Sequence, residues 1–570
     1  MKRRDFAKLI TAGGGLTLVP SCVATGKAGK MKPGSKDPRE LSADVAIIGG
    51  GLGGCAAALA ACRNGLRVIL TEETDWIGGQ IAQQGVPPDE HGSIETHGAP
   101  QSYRDYRDKV RNYYKQNYPM TEEARNRKYL NPGDGSVSRI CHEPRVSVAV
   151  LREMLNPYIS AGKLELLIRH KASGADVQGD EVRAIEVTDQ DTGSAVVVHA
   201  PYFVDATELG DLLPMTNTEY VSGTESKKET GELHAPEVAD PRNHQAFTFC
   251  FAMDYQPGKD NVIDKPKDYD YWNSYVPDMD PPWAGKLLEL NYSNPRNLKP
   301  KDLGFHPEGK KTGNKLNLWL YRRMINRHNF LPGTYDGDIT IVNWPQNDYF
   351  KGNLIDVSEK EFNETIEGAR QLNLSLFYWL QTEAPRPDGG KGWPGLRLRG
   401  DVMGTADGMA KYPYVREARR IKAEFTVLEE HVGAEQRKMV AGPEKGKTAP
   451  DFYDSVGTGY YHIDLHPSNR GDNYIDFGSL PFQIPLGSLL PIRVNNLLPA
   501  NKNIGTTHIT NGCYRLHPVE WSIGEAVGCL TAYAMKHNIP PRAVRSDKRR
   551  LADFQDWIRS QGLETHWPKK

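Results

Sequence analysis

The 570-residue chain has no C-x-x-C pair among its seven cysteines. That absence excludes a zinc knuckle and a dithiol shuttle. Net charge is lacking too. The 71 basic and 72 acidic residues leave −1, without the cationic excess that nucleic-acid binding requires. No apolar run approaches the roughly 18 residues of a membrane-spanning helix. There is no internal repeat, and no low-complexity segment follows residue 41. Gly (55) and Pro (39) are plentiful, so turns and long loops are expected. At about 150 residues per domain, the length allows three to four domain equivalents.

Residues 1–26 follow the order of an export signal. Lys2, Arg3 and Arg4 precede Phe6 and Lys8, which resembles the twin-arginine pattern and departs from it at Ala7. The apolar stretch 9–19 is interrupted by Gly13, Gly14 and Gly15. It is too short and flexible to anchor a chain, but suits a signal core. A periplasmic or outer-surface location is therefore expected. Cys22 is a candidate lipid anchor, and Ala24-Thr25-Gly26 offers an ordinary cleavage site instead. Residues 27–41 read as a linker outside the fold.

A dinucleotide signature begins at Asp44. The run Val45-Ala46-Ile47-Ile48 predicts a buried parallel strand that ends in Gly49-Gly50-Gly51-Leu52-Gly53-Gly54. An Ala-rich helix over 55–64 follows, then Gly65 and a second strand ending at Glu72. Gly49 permits the tight turn, Gly51 lets the backbone approach a pyrophosphate, and Gly54 lets helix and strand pack closely. The helix N-terminus offers free N–H groups and a positive dipole end to the phosphates. Glu72 falls where an acid accepts ribose hydroxyls. It would repel a 2′-phosphate, and FAD and NAD remain open at this point.

Three further segments resemble those of the glutathione-reductase-like FAD superfamily. They are Gly78-Gly79-Gln80 after the second strand, Tyr202-Phe203-Val204-Asp205-Ala206-Thr207, and a C-terminal stretch. That stretch holds Gly505-Thr506-Thr507-His508, Arg515 and Ile523-Gly524-Glu525-Ala526-Val527-Gly528. The loops Gly85-Val86-Pro87-Pro88-Asp89-Glu90-His91 and Asp205-Ala206-Thr207-Glu208-Leu209-Gly210-Asp211 resemble those of exported bacterial FAD-dependent oxidoreductases. The resemblance implies FAD as cofactor, with Gly79, Gln80, Ala206, Thr207, Arg515, Gly524 and Ala526 beside it. It also implies an α/β fold, in which a discontinuous Rossmann-like FAD-binding domain carries an inserted α+β substrate domain. The corresponding ranges are 42–215 and 481–540 for the FAD domain and 216–480 for the insertion. Residues 541–570 form a C-terminal helix and tail.

Within the first part a helix is expected over 143–156, with strands near 164–169, 182–188 and 196–204. The insertion is Pro-, Trp- and Tyr-rich, with a long helix over 359–382. Hydride transfer to a flavin needs a protein group to take the substrate's O–H or N–H proton, and histidine suits that task. The candidates are His508, His91 and His466. His462, Asp464 and His466 share one face of an extended segment, and a pocket wall suits them better than a metal site. Arg416 and Arg420 would form a carboxylate clamp if helical, and a solvated face otherwise.

The expected activity is hydride transfer from a CH–OH or CH–NH carbon of a small molecule, with a carbohydrate or polyol suggested by the aromatic and amide-rich loops. The electron acceptor is unspecified. A redox-neutral flavoenzyme, an NAD-dependent dehydrogenase and an exported glycan-binding protein are the alternatives.

Overall fold

The computed structural model describes residues 38–568. The expected export signal, Cys22 and most of the expected linker lie outside them. The buried runs Val45–Ile48 and Val68–Glu72 form parallel neighbours, and the helix Leu52–Arg63 makes the crossover between them. Five strands make up this sheet, in the order Leu497–Pro499, Tyr202–Asp205, Val45–Ile48, Val68–Glu72, Leu164–Ile168. Every neighbouring pair is parallel. Burial on both faces explains why the two leading strands are almost wholly apolar. The edge strand Leu497–Pro499 pairs with Phe203–Asp205 from nearly 300 positions earlier, so the chain returns to complete its first domain. This is the expected α/β architecture, a Rossmann-like core carrying inserted β and α elements.

The returning segment also supplies the long helix His517–His537, which crosses Leu52–Arg63 at close range. Glycines allow that approach. A Cβ on Gly524 would collide with the backbone of Gly53, and one on Gly528 with Ala57.

A second sheet, in the order Arg39–Ser42, Ala195–His199, Glu181–Asp189, His170–Gln178, packs beside the first. Ile185, Val187 and Val198 share its core with Ile48, Ile69 and Phe203 of the parallel sheet. Two expectations are corrected here. Arg39–Ser42 pairs in parallel with Ala195–His199, and Leu41 packs on this core, so the fold starts inside the segment expected to be a linker. The run 196–204 is two strands in different sheets, broken at Pro201, whose missing N–H cannot continue a ladder. The helix expected over 143–156 extends from Pro144 to Ser160.

The inserted region is organised on a four-stranded antiparallel sheet, Arg323–Ile325, Ile339–Val342, Phe251–Tyr255, Leu396–Leu398. The helix Glu359–Thr382 buries Leu372, Leu376, Phe377 and Leu380. Its Ser358 N-cap accepts the Glu361 N–H at 3.2 Å. Residues 412–419 are not helical, so Arg416 and Arg420 are not paired as a clamp. Arg420 bonds instead to the carbonyls of Thr506 and Gly223. Among the described residues no helix is long and apolar enough to cross a membrane.

Candidate active site

Gly49, Gly51, Glu72, Ala206 and Thr207 line one narrow crevice at the C-terminal ends of the parallel strands. Gly49 has φ +103°, and a Cβ there would run into the Ala206 carbonyl. A Cβ on Gly51 would lie 2.7 Å from Asn501 Nδ2 and 3.0 Å from Glu208 Oε1. Gly54 sits against the Gly49 carbonyl, which is the close helix–strand packing its position predicts.

Glu72 accepts the Gly50 N–H at 3.0 Å through Oε2 and the Thr74 N–H at 2.8 Å through Oε1. Burial, reinforced by the Glu73 carboxylate, pushes its pKa up to about 8. The carboxyl keeps its oxygens fixed by those two N–H groups, beside the turn where ribose hydroxyls would come. Free space in the crevice is about 20 Å³. Tyr412 and Lys171 also line it.

From the crevice the loop 78–89 leads inward. Gly78 and Gly79 both have positive φ, and a Cβ on Gly79 would meet Glu208 and the N-terminus of the first helix. Gln80 donates to the Arg515 carbonyl at 2.8 Å. Gln83 lines the crevice, whereas Asp89 lines a second, larger cavity. The loop therefore joins the two. Along it the buried Gln80 Oε1, Gln83 Oε1 and both amide atoms of Gln84 have no hydrogen-bond partner. His517 Nε2 and Glu208 Oε1 are also unpaired.

The larger cavity has a volume of about 470 Å³. The short strand Ile463–Leu465, paired with Ile475–Phe477, sets His462, Asp464 and His466 along its wall. His466 Nδ1 is 2.5 Å from Asp348 Oδ2, and its Nε2 is 3.7 Å from Asp464 Oδ2, beyond a hydrogen bond. One ring nitrogen is thus held by a buried carboxylate while the other is free of a close partner. Burial alone would raise Asp348. Arg416 and His466 outweigh it and hold the carboxyl below its usual range.

Arg515 joins Asp464 Oδ2 at 3.2 Å and Tyr414 Oη at 2.7 Å. Glu520, five residues on, pairs with Lys502 at 3.3 Å. His462, Asp464 and Asp476 bring ligand atoms within 4.8 Å of one another. Asp464 is already paired with Arg515, and His462 with Asp476 at 2.7 Å, so the cluster reads as an ion-pair network.

The structure separates the other histidine candidates from this cavity. His508 is buried, with Nδ1 2.7 Å from Glu417 Oε1, near enough for an ion pair but out of line for a hydrogen bond. Its surroundings are Arg420, Glu225 and His244. His91 contacts the Gly98 carbonyl at 3.2 Å, packs on Trp567 and lines a different, surface cleft. Gly524 and Ala526 lie mid-helix, with Gly524 on the crossing with Gly53. The helix start that reaches the cavity region is instead at His517, whose Nδ1 accepts the Asp89 N–H at 3.1 Å.

Sequence reasoning missed Asn501 and Lys502. Asn501 accepts the Gly53 N–H through Oδ1 at 3.0 Å and donates to the Ala206 carbonyl at 2.7 Å. It thereby ties the returning strand to the first helix. Buried Lys502 bonds Glu208 at 2.6 Å. An Asn-Lys-Asn triplet directly after an apolar strand was the available signal. Asp348 and Arg322 carried none.

A family model described as FAD dependent oxidoreductase matches residues 44–556. The chain belongs to this family. It is an oxidoreductase, and FAD is its cofactor. A comparison with curated proteins returns no match.

Among solved structures, this FAD-dependent oxidoreductase is similar to L-proline dehydrogenase from P. horikoshii at 19% identity. That match covers 34% of this chain and 25% of the other, with a TM-score of 0.17. Quinol fumarate reductase from E. coli is 12% identical over 92% of this chain and 74% of its own, with a TM-score of 0.31. The anhydrotetracycline hydroxylase OxyS from Streptomyces rimosus is 11% identical over 92% and 67%, also at 0.31. The chain thus spans a quarter of the length of the proline dehydrogenase it matches.

The residues present fit FAD chemically. A glycine cradle faces a helix N-terminus, Glu72 stands ready for ribose hydroxyls, and orphaned amide atoms continue toward the cavity. Gly49, Gly51, Glu72, Ala206 and Thr207 would hold the adenosine end, and Gly79, Gln80 and Arg515 the ring end. Bound FAD supplies a two-electron acceptor for a hydride.

Proposed function

We propose that the chain oxidises a small molecule at a CH–OH or CH–NH carbon seated in the 470 Å³ cavity, with His466 as the base. The observation that carries this reading is the pairing of His466 with Asp348 at the wall of the cavity reached by the loop 78–89. Asp348 fixes the ring through Nδ1, so Nε2 is the atom that can accept the substrate's O–H or N–H proton. Tyr292, Tyr461 and Tyr474 supply faces and hydroxyls, and Asn294 and Asn343 supply amides. Such walls suit a polyhydroxylated substrate, because aromatic faces stack on sugar rings and amides bond their hydroxyls.

Anaerobic mixing of the FAD-loaded protein with sugars, polyols, amines and hydroxy acids tests the reading. Lasting loss of flavin absorbance with one class supports it. Spectral change without bleaching across all classes turns the assignment toward redox-neutral chemistry.

We also propose export, on the strength of Arg3 and Arg4 followed by a short apolar core. Fractionation of cells producing the full chain checks this, and release of a membrane-bound fraction by Cys22→Ser would mark a lipid anchor.

A further inference from the structure

The lysine and four arginines that line the large cavity outnumber its three aspartates. Two of the arginines are closely paired. Arg416 meets Asp348 at 3.2 Å, and Arg515 meets Asp464 at 3.2 Å. Arg322 is different. It is only 7% exposed, lines the cavity, and its guanidinium makes no hydrogen bond among the described residues, with Nε and Nη1 both buried and unpartnered. Its one carboxylate neighbour, Asp89, forms an ion pair at 3.6 Å from Nη1, beyond hydrogen-bond reach. A buried guanidinium without hydrogen bonds is costly, so a fold that keeps one implies an acceptor from outside.

Arg416 Nε and Arg515 Nε, around the same cavity, are likewise buried and unpartnered. At the rim, exposed Arg296 and Lys301 form no ion pair among the described residues. Lys301 lies over the Tyr292 ring instead. Cationic donors therefore run from the mouth to the floor.

Resting on the oxidation proposed above, we infer that the substrate is a hydroxy or amino acid whose carboxylate is bound by Arg322. The planar guanidinium matches a carboxylate, and its donors are already desolvated and in place. The polyol-like walls then recognise the remainder of the molecule. Oxidation leaves the carboxylate intact. The adjacent carbon loses a hydride to FAD, its O–H or N–H proton passes to His466 Nε2, and a carbonyl or imine forms. The reduced cofactor is reoxidised by an external two-electron acceptor.

The test is a titration of the FAD-loaded protein, monitored by flavin absorbance and fluorescence, with lactate, glycerate, gluconate and alanine. Their counterparts without a carboxylate, propane-1,2-diol, glycerol, glucitol and alaninamide, serve as controls alongside inorganic phosphate. At least one carboxylate is expected to bind about tenfold or more tightly than its counterpart, because a site built for that group leaves donors unpaired without it. Arg322→Met should erase the preference while FAD content and Tm hold, and Arg322→Lys should recover part of it. Equal affinity for acid and counterpart, tighter binding of phosphate than of any carboxylate, no binding of any carboxylate, or an unchanged preference in Arg322→Met would each overturn the inference. Carboxylate binding without bleaching would leave it standing and count against the oxidation. Bleaching by neutral polyols with no carboxylate preference would do the reverse.

Discussion

The nucleotide crevice and the substrate cavity lie at the two ends of one loop, 78–89, and are built by opposite means. The crevice is anchored on backbone. A glycine turn at a helix N-terminus and the neighbouring strand end supply it within some thirty consecutive residues, joined by residues 170–172, Ala206, Thr207 and the acids Glu208 and Asp211, with Asn501 tying the turn to the returning strand. The cavity is mostly side chain. Its wall is collected from segments near 89, 292–303, 316–322, 343–345, 414–416, 461–476 and 515. A cofactor common to many enzymes can be held by peptide dipoles, which any sequence supplies once the turn is right. A particular substrate needs charged and aromatic groups at chosen places, and scattered loops supply them.

The contrast can be broken at its strongest point first. Gly49→Val should abolish FAD retention, a loss of at least about 100-fold, because φ +103° and the Ala206 carbonyl leave no room for a branched side chain. Flavin content after gel filtration reads this directly. Full retention would show that the crevice does not depend on its backbone turn.

His508 belongs to neither region, and its removal should cost stability and not the rate of flavin reduction. His508→Gln takes from the buried Glu417 carboxylate its closest cation and leaves it to Gln245 and Arg420, at a cost of about 1–3 kcal/mol. The pair has a defined pH window. Against its burial, His508 is raised by Glu417, so its share is fully present below the usual value of 6.5 and is lost as pH rises through the higher folded value. Glu417 is lowered to about 2, where His508 and Arg420 outweigh burial. Its share is present above 4.5 and is lost as pH falls toward 2. Thermal melts should therefore separate wild type and His508→Gln most between those limits. A slowed reductive half-reaction with unchanged Tm would return His508 to the chemistry.

In the cavity, His466→Ala should slow flavin reduction by substrate about 100-fold while leaving FAD content unchanged, the usual scale for a lost general base. Stopped-flow absorbance under anaerobic conditions measures it, and an unchanged rate would remove the base from this wall.

The smallest effect is expected at Glu72. Glu72→Gln should weaken FAD retention about tenfold, worth ~1.4 kcal/mol, because an amide that only donates replaces one of the two carboxyl oxygens facing the ribose hydroxyls. The sign of its pH effect is also determined. A carboxyl raised from 4.5 to about 8 binds more protons folded than unfolded, so the cofactor-free protein loses stability as pH climbs across that interval. Glu72→Gln should flatten the slope, as followed by Tm between pH 5 and 8.

Legibility in the sequence divided along the same line. Strand, glycine turn, helix and acid were readable from 44 to 72 because each acts on near neighbours, and the return of the chain was readable from the order of its motifs. His466 was readable because strand alternation carries it to a wall. Its carboxylate partner, Asp348, was not, since they lie 118 positions apart. Arg322 had no local signal, because what distinguishes it is the absence of partners in three dimensions. Gly524 and Ala526 were read toward the ring site, but Gly524, with Gly528, serves a helix crossing, a use that looks identical in one dimension.

The edge strand Leu497–Pro499 and the helix His517–His537 also set an order of events in time. During synthesis all of the crevice lining but Tyr412 emerges by position 211, yet it lacks Asn501 and the crossing helix until nearly the whole chain exists. Cofactor loading is therefore a terminal step, and a prematurely ended chain presents the glycine turn without being able to keep what it binds. A transport route that threads unfolded chains would have to leave loading to the far side. One that carries finished proteins could deliver the enzyme already charged.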